Sequence, residues 1–136
     1  MRLVALFSVV LLSACAGGPT AGFLARGEGL PADDNSLVGA WEVTYTDRSE
    51  EGPNLADLVI SNVEDGKVEG SMADLAFLTS RATVSGGELR WAGTTQGEDG
   101  PLFHEARLVG RALHGSTLSI GHDTYRGWTA TLRTPG

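Results

Sequence analysis

Three short segments share one pattern, and this pattern constrains the fold more than any other feature. Each segment places an apolar residue on either side of four residues whose middle pair favours a tight turn: Val63–Val68, Val84–Leu89 and Leu108–Leu113. The middle pairs are Asp-Gly, Gly-Gly and Gly-Arg. The first two fit a type I′ turn, which needs positive φ twice, and Gly-Arg fits type II′. In each segment the outer apolar residues fall opposite each other on one sheet face, so the repeat predicts consecutive β-hairpins.

Counting outward from these hairpins predicts eight strands and no convincing helix. The strands are expected at residues 38–46, 55–63, 67–73, 78–85, 88–95, 102–109, 112–120 and 125–133. Strands at this even spacing are typical of an antiparallel barrel or sandwich. Because only sequential hairpins are visible, and because closure removes exposed edges, the sequence favours an all-β, eight-stranded antiparallel up-and-down meander barrel.

Alternating apolar residues indicate which strand faces are buried. The residues that share a face are Trp41, Val43 and Tyr45 on the first strand, Leu89 and Trp91 on the fifth, and Trp128, Ala130 and Leu132 on the eighth. Leu118 and Ile120 have the opposite parity to Leu113. A bulge near Gly115 would bring all three to the interior.

The first residues have the properties of an export signal. Met1-Arg2 is followed by an apolar run, Leu3–Leu12, which is too short to span a bilayer as a mature helix. Residues 12–15, Leu-Ser-Ala-Cys, resemble the bacterial lipobox in every position. The resemblance implies diacylglycerol on the Cys15 thiol, cleavage before Cys15 and acylation of the new amino terminus, which together anchor the protein stably in a bilayer.

The alternative is an ordinary cleavable signal, since Ala14-Cys15-Ala16 also fits a small-x-small cleavage site. Cys15 is the only cysteine, so no intramolecular disulfide can form, and lipidation gives this residue a role. Ala16 stands where an aspartate retains many lipoproteins in the inner membrane, and the resemblance therefore implies an outer-membrane location.

Three regions follow from these features. Residues 1–14 are the expected lipoprotein signal peptide, residues 15–36 the lipidated cysteine and a flexible Gly- and Pro-rich tether, and residues 37–136 a single β-barrel domain. The net charge of −7 argues against nucleic acid or an anionic membrane surface as an electrostatic partner. Acidic loops before residue 100 serve either solubility or an acidic binding surface.

Gly39-Ala40-Trp41, at the start of the first strand, resembles the Gly-x-Trp signature of the lipocalins and wider calycin barrels. In that family the tryptophan closes the barrel base beneath an arginine from near the last strand. The resemblance therefore implies a cation–π contact between Trp41 and Arg133.

An eight-stranded barrel holds either packed side chains or one small ligand. The candidate residues for lining a small apolar ligand are Tyr45, Trp91, Tyr125 and Trp128, with Phe77 and Phe103 as neighbours. The alternative is that these side chains fill the core.

The connections expected at residues 47–54, 74–77, 96–101 and 121–124 lie at the end opposite the three tight turns, away from the membrane. Function is expected at this loop end, where His122 and Asp123 are the candidate polar residues. A hydrolase or lyase using them, with Ser49 or Ser119 as nucleophile, is one alternative function. Another is engagement of an envelope protein, as in lipid-anchored barrel inhibitors of proteases.

Residues 116–125, STLSIGHDTY, are similar to the last strand of streptavidin-type barrels, and Asp123 would match the aspartate that binds the biotin ureido group. This chain has one extra residue before the glycine, and its first strand lacks that family's asparagine and serine. The histidines His104, His114 and His122 do not converge, so no metal or cofactor is predicted. The sequence as a whole favours a lipid-anchored, non-enzymatic envelope barrel that binds a ligand or protein through its loop end.

Overall fold

The computed structural model describes residues 33–134 and confirms the predicted all-β barrel. After a 3₁₀ turn, Asp34–Leu37, the strands are β1 Gly39–Ser49, β2 Gly52–Glu64, β3 Lys67–Met72, β4 Leu75–Ala76, β5 Thr79–Ser85, β6 Glu88–Gly97, β7 Gly100–Val109, β8 Ala112–Ser119 and β9 Thr124–Leu132. Apart from the short β4, these strands form a closed antiparallel ring of eight, in which β1 pairs with both β2 and β9. The predicted signal peptide, Cys15 and most of the predicted tether lie outside the described residues.

The three predicted hairpin turns are confirmed. Asp65 and Gly66 have φ values of 49° and 76°, and Gly86 and Gly87 have 60° and 78°, as a type I′ turn requires. Gly110 has a φ of 62°. The outer apolar pairs are in the expected register: Val63 with Val68, Val84 with Leu89, and Leu108 with Leu113.

The connections at the opposite end of the barrel are shorter than the sequence suggested. The connections expected at 47–54 and 96–101 are mostly strand, because pairing continues to Ser49–Gly52 and Gly97–Gly100 and leaves two-residue turns. The connection after β8 is the turn at residues 120–123. Both ends are therefore closed by short turns.

The inward faces of the strands fill the barrel. Leu37, Trp41, Val43, Leu58, Ile60, Met72, Leu89, Trp91, Leu113, Trp128 and Ala130 are all 2% exposed or less. Leu37 closes the base, where its carbonyl oxygen accepts a hydrogen bond of 2.8 Å from the Trp41 indole. Asp33 caps the turn that carries Leu37, so residues 33–36, at the end of the predicted tether, are folded against the barrel base.

The β8 strand does not contain the bulge near Gly115 that would turn Leu118 and Ile120 inward. Pairing of β8 with β7 and β9 is uninterrupted, and Gly115 lies opposite Trp128 on the inner face. A Cβ atom at Gly115 would collide with the indole ring of Trp128. Leu118 and Ile120 therefore stay on the outer face, where they are 38% and 55% exposed.

The strand pairing around the ring is shortest between β3 and β5. One residue pair, Lys67 with Arg81, joins these strands as a β-bridge. The amide of Ala82 also donates to the Gly66 carbonyl oxygen at 2.8 Å. By comparison, β6 and β7 pair over eight consecutive positions.

Candidate functional site

The two tryptophans that were candidates for lining a ligand cavity belong to the core. Trp91 and Trp128 are each 2% exposed, and their rings lie 6.5 Å apart. The indole N–H of Trp91 donates to Ser80 Oγ at 2.7 Å, and that of Trp128 donates to Thr117 Oγ1 at 3.0 Å. Phe77 packs on Trp91 with ring centroids 5.3 Å apart. The indoles thus have their polar partners inside the barrel already.

His104 is the centre of a buried polar network that the sequence did not predict, although the residue shares parity with Ala106 on β7, which indicates the interior. Its Nδ1 lies 2.9 Å from Thr117 Oγ1 and its Nε2 lies 2.9 Å from Thr95 Oγ1. Thr117 already accepts from the indole of Trp128, so its own hydroxyl proton is best used toward Nδ1, which assigns the His104 proton to Nε2. Burial lowers the pKa of His104 from 6.5 to about 4, which keeps the ring neutral.

The polar atoms of buried side chains have hydrogen-bond partners throughout the described interior. Within residues 33–134, no buried side-chain nitrogen or oxygen lacks a hydrogen-bond partner. A site for a polar ligand inside the barrel would contain buried polar atoms without a hydrogen-bond partner in the protein. The interior therefore has the properties of a packed core.

Tyr45, the third candidate for the cavity, is half-buried at the rim beneath Arg126. The guanidinium carbon lies 3.9 Å from the centre of the Tyr45 ring. Arg126 also donates from Nε and Nη2 to the two carboxylate oxygens of Asp47, both at 3.0 Å. These hydrogen bonds lower the pKa of Asp47, whereas burial raises the pKa of Tyr45.

The contact expected between Trp41 and Arg133 is replaced by other partners. The Arg133 guanidinium lies on the outer face, 2.7 Å from Asp57 and 3.3 Å from Glu42. Trp41 points inward, and neighbours on a strand alternate between faces, so Glu42 and Trp41 are on opposite sides of β1. The arginine–aromatic pair of this barrel is instead Arg126 with Tyr45.

The structure separates the polar residues of the turn at 120–123. His122 Nε2 lies 2.8 Å from Asp99 Oδ2, in the neighbouring β6–β7 turn, and both side chains are 62% exposed. Asp123 is exposed with a φ of 49°, so the streptavidin-like stretch is interrupted by a turn at the matching aspartate. Of the two candidate nucleophiles, Ser119 is 8% exposed and the Ser49 side chain lies outside the described part.

Tyr125, the fourth candidate, lies on the outer wall and is 69% exposed, which corrects its predicted inward position. Parity could have shown this, because Tyr125 and Trp128 are three residues apart and one strand cannot present both to the same face.

Two adjoining open depressions, of about 490 and 710 Å³, lie on this outer wall. They share Arg81, Ala92, Glu105, Ser116 and Tyr125.

Cross-strand pairing arranges the outward side chains of the depressions in three parallel rows over β5 to β9. We define the basic row as Thr83, Arg90, Arg107, His114 and Thr129; the small row as Arg81, Ala92, Glu105, Ser116 and Gly127; and the apolar row as Thr79, Thr94, Phe103, Leu118 and Tyr125. Ser116 points outward and yet is 6% exposed, since it lies at the bottom, where its hydroxyl donates to Glu105 at 3.2 Å.

Comparisons with protein-family models, with curated proteins and with solved structures find no match to this chain. Between residues 33 and 134, no group of three or more His, Cys, Asp and Glu side chains is arranged to hold a metal ion. The same part of the chain contains no helix that is long and apolar enough to cross a membrane.

Proposed function

We propose that the protein is a lipid-anchored, non-enzymatic binding module of the bacterial envelope, and that it binds through the depressions of its outer wall. The observation that carries this proposal is the contrast between the two sides of the strands. The interior is packed and hydrogen-bonded, whereas the outer wall offers open volume beside exposed aromatic and cationic side chains. Exposed apolar patches next to polar groups are typical of interaction sites.

The anchoring part of the proposal rests on the lipobox-like residues before Cys15 and on the absence of any second cysteine in the sequence. Leu37 packs at the barrel base, so the preceding chain joins the barrel at the end with the three tight turns. A lipid on Cys15 would hold that end toward the bilayer and leave the side wall accessible. Ala16 favours the outer membrane.

Fatty-acid labelling tests the anchor. Cells that produce the protein are grown with radioactive palmitate, and the protein is compared with its Cys15→Ser variant. We expect label and membrane association in the unmodified protein only. Label that persists in the variant would contradict lipidation at Cys15.

Photo-crosslinking tests the binding surface. A photoreactive phenylalanine analogue replaces Leu118 on the outer wall, and, in separate variants, Leu55 on β2 or His122 in the turn. We expect a crosslinked product, detected by intact-protein mass, from the position 118 variant only. A product from position 122 alone would favour the loop end and revive the hydrolase alternative, which the His122→Ala/Asp123→Ala variant then tests.

A further inference from the structure

We propose that the outer-wall depressions bind a single-chain lipid with an anionic head, the head on the basic row and the chain along the apolar row. This inference rests on the proposed function, since it names the ligand class of the same surface. The three rows lie in the order basic, small and apolar across the outside of the sheet.

The basic row places two arginines directly opposite each other across the sheet, and only one of them has an ion-pair partner among residues 33–134. Arg90 pairs across the sheet with Arg107, and Arg107 pairs with His114. Like charges directly opposite each other, as on Arg90 and Arg107, destabilise a sheet. Arg90 has a carboxylate neighbour in Glu88 at 3.0 Å, whereas Arg107 has no ion-pair partner among residues 33–134. On a chain with a net charge of −7, this local concentration of positive charge complements an anion.

Hydroxyl groups extend the same row at both ends. Thr83 precedes Arg90 across the sheet, and Thr129 follows His114. Both threonines line the larger depression together with the cationic side chains. Arginine and hydroxyl donors together suit the oxygen atoms of a phosphate or carboxylate.

The apolar row supplies the complementary surface for a hydrocarbon chain. Phe103, Leu118 and Tyr125 are adjacent on three neighbouring strands and are 44%, 38% and 69% exposed. The three side chains form one continuous apolar strip, and all three line the smaller depression.

The small row lies between the basic row and the apolar row and connects them. Ala92, Ser116 and Gly127 leave the floor low, and both depressions continue across it. Two residues along a strand span about 7 Å, so the basic and apolar rows are about 14 Å apart. A head at Arg107 and a medium-length chain directed toward Leu118 would cover this distance.

Glu105 gives the proposal a directional test. Its carboxylate lies on the small row between Arg107 and Phe103 on the same strand, where it would repel an anionic head. Removing this charge with Glu105→Gln should therefore tighten binding of an anionic amphiphile, whereas Arg107→Gln should weaken it. A purely apolar surface would respond to neither change.

The experiment is calorimetric titration of the chain from residue 15 onward, with Cys15→Ser, below the critical micelle concentration of each probe. Residues 33–134, which form the closed ring of strands, all lie within this chain. The probes are decyl phosphate, inorganic phosphate as the head alone, decyl maltoside as the chain with an uncharged head, and decyltrimethylammonium as the chain with a cationic head.

We expect decyl phosphate to bind at least about tenfold more tightly than each other probe, because only it uses both rows. Arg107→Gln and Phe103→Thr should each weaken it about tenfold, and Glu105→Gln should strengthen it. Matched controls are Arg111→Gln in the β7–β8 turn and Val59→Thr on the outer face of β2, which should leave the affinity unchanged. Equal binding of the decyl probes, or equal effects of the control variants, would overturn the inference.

The two proposals fail in different ways. A protein crosslinked at position 118, with no preference for decyl phosphate, would keep the binding module and overturn the lipid ligand. Saturable decyl phosphate binding whose affinity is unchanged by Phe103→Thr and by Arg107→Gln would place the ligand elsewhere and contradict both proposals.

Discussion

Gly115 lies inside the barrel opposite Trp128, at a position where the absence of a side chain makes room for an indole. A methyl group there would meet both the Trp128 ring and the Glu105 carbonyl oxygen. Gly115→Ala should therefore lower the free energy of unfolding by about 1–3 kcal/mol, as overpacking does in other cores. The measurement is urea unfolding followed by tryptophan fluorescence.

Gly127→Ala is the matched control, because Gly127 lies on the adjacent strand but faces outward. Its nearest atom to an added Cβ is Thr46 Oγ1 at 3.3 Å, which is the end of a side chain. Gly127→Ala should lower the free energy of unfolding much less than Gly115→Ala does. Equal losses would mean that the inner face is not packed as described.

His104 makes stability depend on pH. Its pKa is about 4 when folded and about 6.5 when exposed, so the unfolded state binds more protons between these values and stability falls as pH decreases. Between pH 7 and pH 5 the loss should be about 2 kcal/mol. Urea unfolding at the two pH values measures it.

His104→Gln should be less stable at pH 7 but should lose most of this pH dependence. The carboxylate of Asp47, whose pKa is lowered, contributes its own loss of stability only below its ordinary value of 3.8. If the free energy of unfolding of the variant still differs between pH 7 and pH 5 by the same amount, another group causes the pH dependence.

At the scale of elements, turn chemistry made the hairpins predictable. Asp65-Gly66 and Gly86-Gly87 need positive φ at both positions, which fixes the turn and the register of the flanking strands. The tips at Glu50–Glu51 and Glu98–Asp99 were not predictable, because neither residue pair carries such a preference. The strands there extend further than the residue types suggested.

The outer-wall rows were available in the sequence only in part. The strand positions and parity place Phe103, Leu118 and Tyr125 on one face, yet an exposed apolar residue looks the same in sequence as a buried one. The sequence left open whether a bulge near Gly115 turns Leu118 inward, and the uninterrupted pairing of β8 shows that it does not. The His104 network was beyond prediction because it depends on four strands meeting at one level of the barrel.

The seam between β3 and β5 should be the first part of the barrel to open. With one bridge pair and few backbone hydrogen bonds, it offers less protection than the fully paired β6–β7 ladder. Hydrogen exchange with mass spectrometry should show the amides of β3 and β5 that face the seam exchanging about tenfold faster, or more, than those between β6 and β7. Uniform protection around the ring would contradict this weakness.

Considered as a whole molecule, the barrel uses its inner face for stability and leaves its outer face for recognition. All three tryptophans, Trp41, Trp91 and Trp128, are buried with their indole N–H groups bonded inside the protein. A ligand that entered the barrel would have to displace them. A ligand on the outer wall would leave them unchanged.

NMR titration with decyl phosphate tests this division most directly, since Leu113 and Leu118 lie on the same strand and point to opposite faces. In keeping with this division of the two faces, we expect shifts of the Leu118 methyl groups and the Tyr125 ring, with the Leu113 methyl groups and the indole N–H signals of Trp91 and Trp128 unmoved. Shifts of the indole and Leu113 signals, with Leu118 unaffected, would contradict it and show that the ligand enters the barrel.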